Sequence, residues 1–152
     1  MIKKMTVGVA LLMAAGMLTF TTLCPCGPTP GAYLFGAEAQ APINDWSFVD
    51  QVPLCQLEVT TWRPHSVNLN CMSSQGQLYI SCSNCAAKSW SRSAETMGIA
   101  RIRAGEMVYP VTLQRVTDAA ELERAWAARL RKIQQEPVQR PSHWWSFRLS
   151  YR

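Results

Sequence analysis

Three stretches of this chain alternate between apolar and polar residues in close succession. Cys55, Leu57 and Val59 alternate with Gln56, Glu58 and Thr60. Val67, Leu69 and Cys71 alternate with Ser66, Asn68 and Asn70, and Leu78, Ile80 and Cys82 with Gln77, Tyr79 and Ser81. A period of two puts every second side chain on one face of an extended strand, so each stretch reads as a half-buried strand. The joins are short: "RPH" at 63–65 makes a turn, and "SSQG" at 73–76 offers glycine for a left-handed position. Residues 66–82 therefore read as a hairpin. Strands this short must bury their apolar faces on a shared core, which favours a closed or partly closed barrel.

The remaining elements complete that picture. Residues 86–96 lose the alternation and suit a short helix. The segment 98–116 reads as a second hairpin turning at Gly105-Glu106, with Arg101 and Arg103 on one face. Pro110 lacks a backbone donor, which predicts an edge position or a bulge. The pattern over 118–134 predicts the longest helix: Asp118 caps it, and Leu122, Trp126, Leu130 and Ile133 share a face. Its early acids and late bases match the helix dipole. "WWSFRLSYR" at 144–152 predicts a final strand with Trp145, Phe147, Leu149 and Tyr151 on one side. The expectation is a mainly β protein with helices (α+β): six strands, one short helix after the third and one long helix before the last.

Lys3 and Lys4 precede the apolar run 5–23, and no further charge occurs until Glu38. As a helix that run would be roughly 28 Å long, close to the thickness of a hydrocarbon core. The lysines would stay cytoplasmic, so the expectation is a membrane anchor with the domain on the periplasmic, extracytoplasmic side. A signal segment cleaved near "AEA" at 37–39, giving a secreted domain, is one alternative, and a lipid on Cys24 is another. Residues 24–44, rich in Gly, Pro and Ala, read as a linker, leaving 45–152 as the barrel domain. Export would let Cys55, Cys71, Cys82 and Cys85 oxidise. They read as small buried thiols, as two disulfides in any of three pairings, or as a metal site. The metal reading lacks a second close pair, and no metal is expected.

In this order the elements resemble the deazaflavin-dependent nitroreductase-like family, a branch of the flavin-reductase-type split β-barrel related to the pyridoxamine phosphate oxidase barrel. The segments that carry the resemblance are "TTWRPHSV" (60–67), "GQLYIS" (76–81), "AKSW" (87–90), "ARIRAGEMVY" (100–109), "RVTD" (115–118) and "WWSFRL" (144–149). The resemblance implies a six-stranded split β-barrel and a two-electron reductase, passing a hydride from a deazaflavin coenzyme or FMN to a quinone- or nitro-type acceptor. It places Lys88, with Trp90 beside it, at the cofactor's anionic part, Arg92 as a helper, and Arg63 at a second basic position. No catalytic residue is assigned. Barrels of this kind pair through their strands, so a homodimer is compatible with it. The alternative is a non-catalytic barrel that binds a ligand or partner in the cell envelope with no cofactor.

Charge fits an anionic small-molecule ligand. Residues 38–85 hold one base against four acids, whereas 86–152 hold twelve bases against six acids. No long Lys/Arg tract appears, so nucleic acid is not an expected partner. His65 and His143 are isolated, and Tyr79 and Tyr109 are candidate proton donors. No Ser-His-Asp pattern with a nucleophile turn and no phosphate-cradling glycine loop is present, which excludes the common hydrolase and nucleoside-triphosphatase designs. Cys82 and Cys85 also match the spacing of a thiol-redox pair, although no helix clearly starts between them.

Overall fold

The computed structural model describes residues 29–59 and 63–152, together with residues 8, 11–14 and 16. The apolar run 5–23 lies largely outside them, as do Cys24, Cys26 and the end of the first predicted strand at 60–61. Among the described residues no helix is long and apolar enough to cross a membrane.

Eight strands form one sheet: β1 (Ala37–Glu38), β2 (Cys55–Val59), β3 (His65–Leu69), β4 (Cys71–Ser74), β5 (Gln77–Ser83), β6 (Ile99–Ala104), β7 (Met107–Arg115) and β8 (Trp144–Tyr151). Among the residues described from 29 onward, two α-helices accompany it, α1 (Ser89–Met97) and α2 (Ala119–Lys132). The main path runs β3-β2-β6-β7-β8-β5-β4, and β1 pairs with β7 in parallel. This is the curled sheet of a split barrel, with two strands more than the alternation predicts. One extra strand comes from dividing 66–72 at Asn70. β3 pairs with β2 and β4 pairs with β5, so this run leaves one end of the sheet and enters the other. The other is β1, within the segment read as linker.

Pairing explains two local sequence choices. Gln75 and Gly76 both have positive φ, 54° and 74°, as a two-residue turn between twisted antiparallel strands requires. Pro110 lies between the part of β7 paired with β1 (107–108) and the part paired with β8 (111–115). Its missing donor therefore falls where β7 changes neighbours, the edge-like position expected.

The barrel interior is built from the alternating positions. Leu57, Val59, Leu78, Ile80, Ile102, Val111, Phe147 and Leu149 are all buried in one cluster. Burying each such side chain contributes on the order of 2 kcal/mol. A second apolar layer lies outside the sheet, where Ala125, Trp126, Ala128 and Leu130 of α2 cover Met72, Tyr79 and Trp144. Asp118 caps α2 by accepting from the Glu121 amide at 2.8 Å. The Glu121 side chain does not close a capping box. It accepts instead from the Tyr79 hydroxyl (2.9 Å) and Arg148 (3.3 Å), tying the helix start to β5 and β8. At the other end, the Lys132 ammonium donates to the carbonyls of Val49 (2.8 Å) and Asp50 (2.9 Å), and also to that of Val52.

Part of the segment read as linker is a strap across the sheet's outer face. Gly31 bridges Ser66 on β3. The Leu34 amide donates to Glu58 on β2 at 2.6 Å, and its carbonyl accepts from Arg101 on β6 at 3.1 Å. Glu58, though on the polar face of its strand, is buried and paired with Arg101 at 3.1 Å, and Arg101 also holds Glu38 at 3.0 Å. The Tyr33 ring sits against the Arg101 guanidinium at 4.5 Å. Leu34 is fully buried by the strap it belongs to.

The four barrel cysteines form two disulfides, Cys55–Cys71 and Cys82–Cys85. In the sheet path β2 and β4 are separated by β6, β7, β8 and β5. The bond nevertheless follows from the β2–β3 register: Leu69 lies opposite Cys55, and Cys71 comes two residues later, where the chain passes to the other end of the sheet.

Candidate ligand cleft

Where those ends meet, the barrel is open. β3 is a terminal strand, and β5, next to the other terminus, runs on through a 3-10 turn (Cys85–Ala87) into α1. Between them lies a cleft of about 400 Å³, lined by His65, Val67 and Leu69 of β3, Ala87 to Trp90 at the head of α1, and Thr29 and Pro30 of the strap. Val67 and Leu69 are only partly buried: they pack against the core and also line the cleft. His65 shares their face by the period-two rule.

α1 begins at the cleft because the chain must reverse after β5. Asn84 adopts a left-handed conformation (φ 54°), and the Lys88 amide closes the turn onto the Cys85 carbonyl at 2.9 Å. Lys88 then stands at the N-cap with extended backbone and no side-chain cap. The Ser91 hydroxyl takes up the turn's carbonyls instead, donating to Cys85 and, at 2.9 Å, to Lys88. Gly98, at φ 64°, ends the helix. The helix start thus points unsatisfied backbone amides and a lysine toward the cleft, an arrangement that favours an anion. Among the described residues the Lys88 ammonium has no hydrogen-bond or ion-pair partner.

The four residues singled out in the sequence separate here. Lys88 and Trp90 line the cleft. Trp90 is 5% exposed and packs on Phe147 at 6.0 Å between ring centres, so it is mainly a core residue that lends the cleft an edge. Arg92 lines the adjoining groove with Ser89, Ser93, Thr96 and Met97, and donates to the Ala86 carbonyl at 3.3 Å. Arg63 is exposed just before β3 and is not among the cleft's lining residues. Lys88 is therefore the one lysine or arginine among the described residues that line this cleft.

Neither candidate tyrosine reaches it. Tyr79 lies under α2, and burial together with the Glu121 carboxylate pushes its phenol up to about 12. Tyr109 sits in an aromatic cluster with Trp46 (5.1 Å) and Phe48 (6.1 Å), and burial raises its phenol as well. Arg101 and Arg103 also lie elsewhere: Arg101 is spent on the strap, and Arg103 borders a separate groove with Leu54 and Gln56. Sequence reading undervalued His65, although its spacing of two from Val67 and four from Leu69 already put it on the cleft face. The contribution of Thr29 and Pro30 had no local signal. No group of three or more metal-ligating side chains occurs among the described residues.

No protein-family model matches the sequence, and no curated protein does either. Solved structures match the fold. A candidate pyridoxamine 5'-phosphate oxidase from Listeria innocua superposes with a TM-score of 0.56 at 9% identity, over 68% of this chain and 86% of that one. A candidate 5-nitroimidazole antibiotic resistance protein from Bacteroides thetaiotaomicron also gives 0.56, at 11% identity, over 73% and 82%. A NimC/NimA family protein from Clostridium acetobutylicum gives 0.50 at 13% identity, over 67% and 76%. At such identities the likeness is one of fold. It supports the split barrel and does not single out the deazaflavin branch.

Proposed function

We propose that this protein is an exported split-barrel oxidoreductase that holds a flavin or deazaflavin in the seam cleft and passes a hydride to a quinone- or nitro-type acceptor. The observation that carries the reading is the unpartnered Lys88 ammonium at the head of α1, beside the apolar floor of Val67, Leu69 and Trp90. Those residues fit a planar ring bearing an anionic tail. Lys88 and the first amides of α1 would hold the anionic part, with a charge-assisted bond stronger than a neutral one. Val67 and Leu69 would cover one side of the ring and exclude water from it. The His65 imidazole is the group in the cleft able to hold or move a proton. The cofactor, when bound, supplies the two-electron chemistry. Arg92, on the adjoining groove that shares Ser89 with the cleft, would act on the approach of the anion.

Two disulfides support an oxidising compartment, in keeping with residues 5–23 as an anchor or a cleaved signal. Pairing of two barrels belongs to the same reading. A second reading, a non-catalytic ligand-binding barrel of the cell envelope, is favoured by the single cation that lines the cleft. The two readings separate in one experiment. Full-length protein is purified from the exported fraction, its visible absorbance is scanned, and it is then titrated with FMN and with a deazaflavin. Bound chromophore, or retention of either cofactor and, after its chemical reduction, reoxidation when a quinone is added, is the result expected of the reductase. A colourless protein that retains neither contradicts it.

A further inference from the structure

We infer that residues 29–39 stay with the folded domain in the mature protein, so that any removal of the apolar leader cuts before Thr29 and the small-residue site "AEA" at 37–39 is not used. The inference needs no cofactor in the cleft. It rests on the export reading only in that a leader is there to be removed, and the test below keeps the two apart. By spacing alone 37–39 is a fair cleavage site, with Ala37 and Ala39 three residues and one residue ahead of the cut. A cut after Ala39 would detach the strap, and the strap is built into the sheet along its length. Gly31 and Ser66 exchange two backbone hydrogen bonds, both 2.9 Å, on β3. Leu34 is fully buried. Gly36 runs so close to β7 that a β-carbon there would stand 3.0 Å from Val108 Cγ2. Ala37 and Glu38 pair with Met107 and Val108, and the Ala39 amide donates to the Val108 carbonyl at 2.8 Å.

Removing this segment would undo the charge arrangement beneath it. Arg101 holds Glu38, Glu58 and the Leu34 carbonyl and lies under the Tyr33 ring; after the cut Glu58 alone of these remains. Glu58 would lose the Leu34 amide, its second donor, together with the strap that covers it. The Ser66 amide and carbonyl would lose their partners, and β7 would lose the strand paired at 107–108. Each hydrogen-bonding group left unmet at a buried position costs more than the bond itself contributes. The cleft would lose Thr29 and Pro30 from its lining. A domain that begins at residue 40 therefore lacks part of its own sheet, and the strap belongs to the mature fold.

The test expresses the full chain with its leader, recovers the exported protein and reads its first residue by intact mass, for wild type and Ala37→Gln. Ala37 is exposed, so the fold accepts glutamine there, whereas a leader-removing protease requires a small residue at that position. A first residue no later than Thr29 is expected in both proteins, with the two masses differing only by the substitution. A mature chain that begins after Thr29 overturns the inference, and so does processing that occurs in wild type and is lost in Ala37→Gln. A second readout does not depend on export: a broad-specificity protease is added to the folded full-length protein and the resistant fragment is weighed. A fragment that keeps residues 31–39 is expected, and one that begins near residue 40 overturns the inference. Uncut chain found only inside the cell removes the export reading, and the digest then decides the place of the strap.

Discussion

Lys88, at the N-cap of α1, and Arg101, within β6, are both basic residues, and their surroundings give them opposite tasks. Arg101 is surrounded by Glu58, Glu38, the Leu34 carbonyl and the Tyr33 ring, and Glu58 is only 3% exposed. Removing a partner from a buried ion pair leaves a desolvated charge behind, which costs about 3–5 kcal/mol. Arg101→Ala is therefore expected to lower the unfolding free energy by that amount, read from urea denaturation curves, and to expose residues 31–39 to proteases. Replacing both partners, Glu58→Leu with Arg101→Met, is expected to cost less than Arg101→Ala alone. Tyr79 makes a pH-dependent contribution. Its phenol has an ordinary value of 10.0 and is raised to about 12 in the folded protein by burial and by Glu121. Between those values the unfolded chain loses a proton that the folded one keeps, so stability is full below pH 10 and falls as pH rises toward 12. Tyr79→Phe is expected to flatten that alkaline decline in denaturation curves collected at successive pH values.

At the scale of elements, closing the 16-residue separation between Cys55 and Cys71 contributes about 3 kcal/mol in the chain-entropy account. Cys55→Ala/Cys71→Ala, which removes this bond alone, is expected to lower the unfolding free energy by about that much, read from denaturant curves of variant and wild type. This bond was not legible in the sequence. The alternation fixed which faces of β2, β4 and β5 are buried, and so put Cys55, Cys71 and Cys82 in the interior, but three pairings remained because pairing depends on the register that sets Leu69 opposite Cys55. Local signals did better where the physics is local. Asp118 announced the start of α2, Gly105 the turn between β6 and β7, and Pro110 the position where β7 changes neighbours. The strap was missed for the opposite reason. Its hold on the sheet comes from Glu58 and Arg101, distant in sequence, and a Gly-, Pro- and Ala-rich composition gives no hint of it. The cleft was half legible: the resemblance put Lys88 and Trp90 beside the helix start, where they line the cleft, while Arg92, grouped with them, lines the adjoining groove and Arg63 stands before β3 outside the lining.

For the whole molecule, the excess of bases after residue 85 does not converge on one site. Arg101, Arg115, Arg140 and Arg148 are paired with acids, and Lys132 is tied to backbone carbonyls. What remains at the seam is one free ammonium at a helix start, facing an apolar strand. The account therefore stands on Lys88 holding an anion in that cleft. The most direct measurement is a titration of FMN into the oxidised full-length protein, followed by quenching of flavin fluorescence, for wild type, Lys88→Glu and Arg92→Glu. Loss of one charge-assisted contact is worth about 1.5–3 kcal/mol, so Lys88→Glu is expected to weaken binding at least about tenfold, with Arg92→Glu affected less. Equal affinity in wild type and Lys88→Glu, or a larger loss in Arg92→Glu, would contradict it.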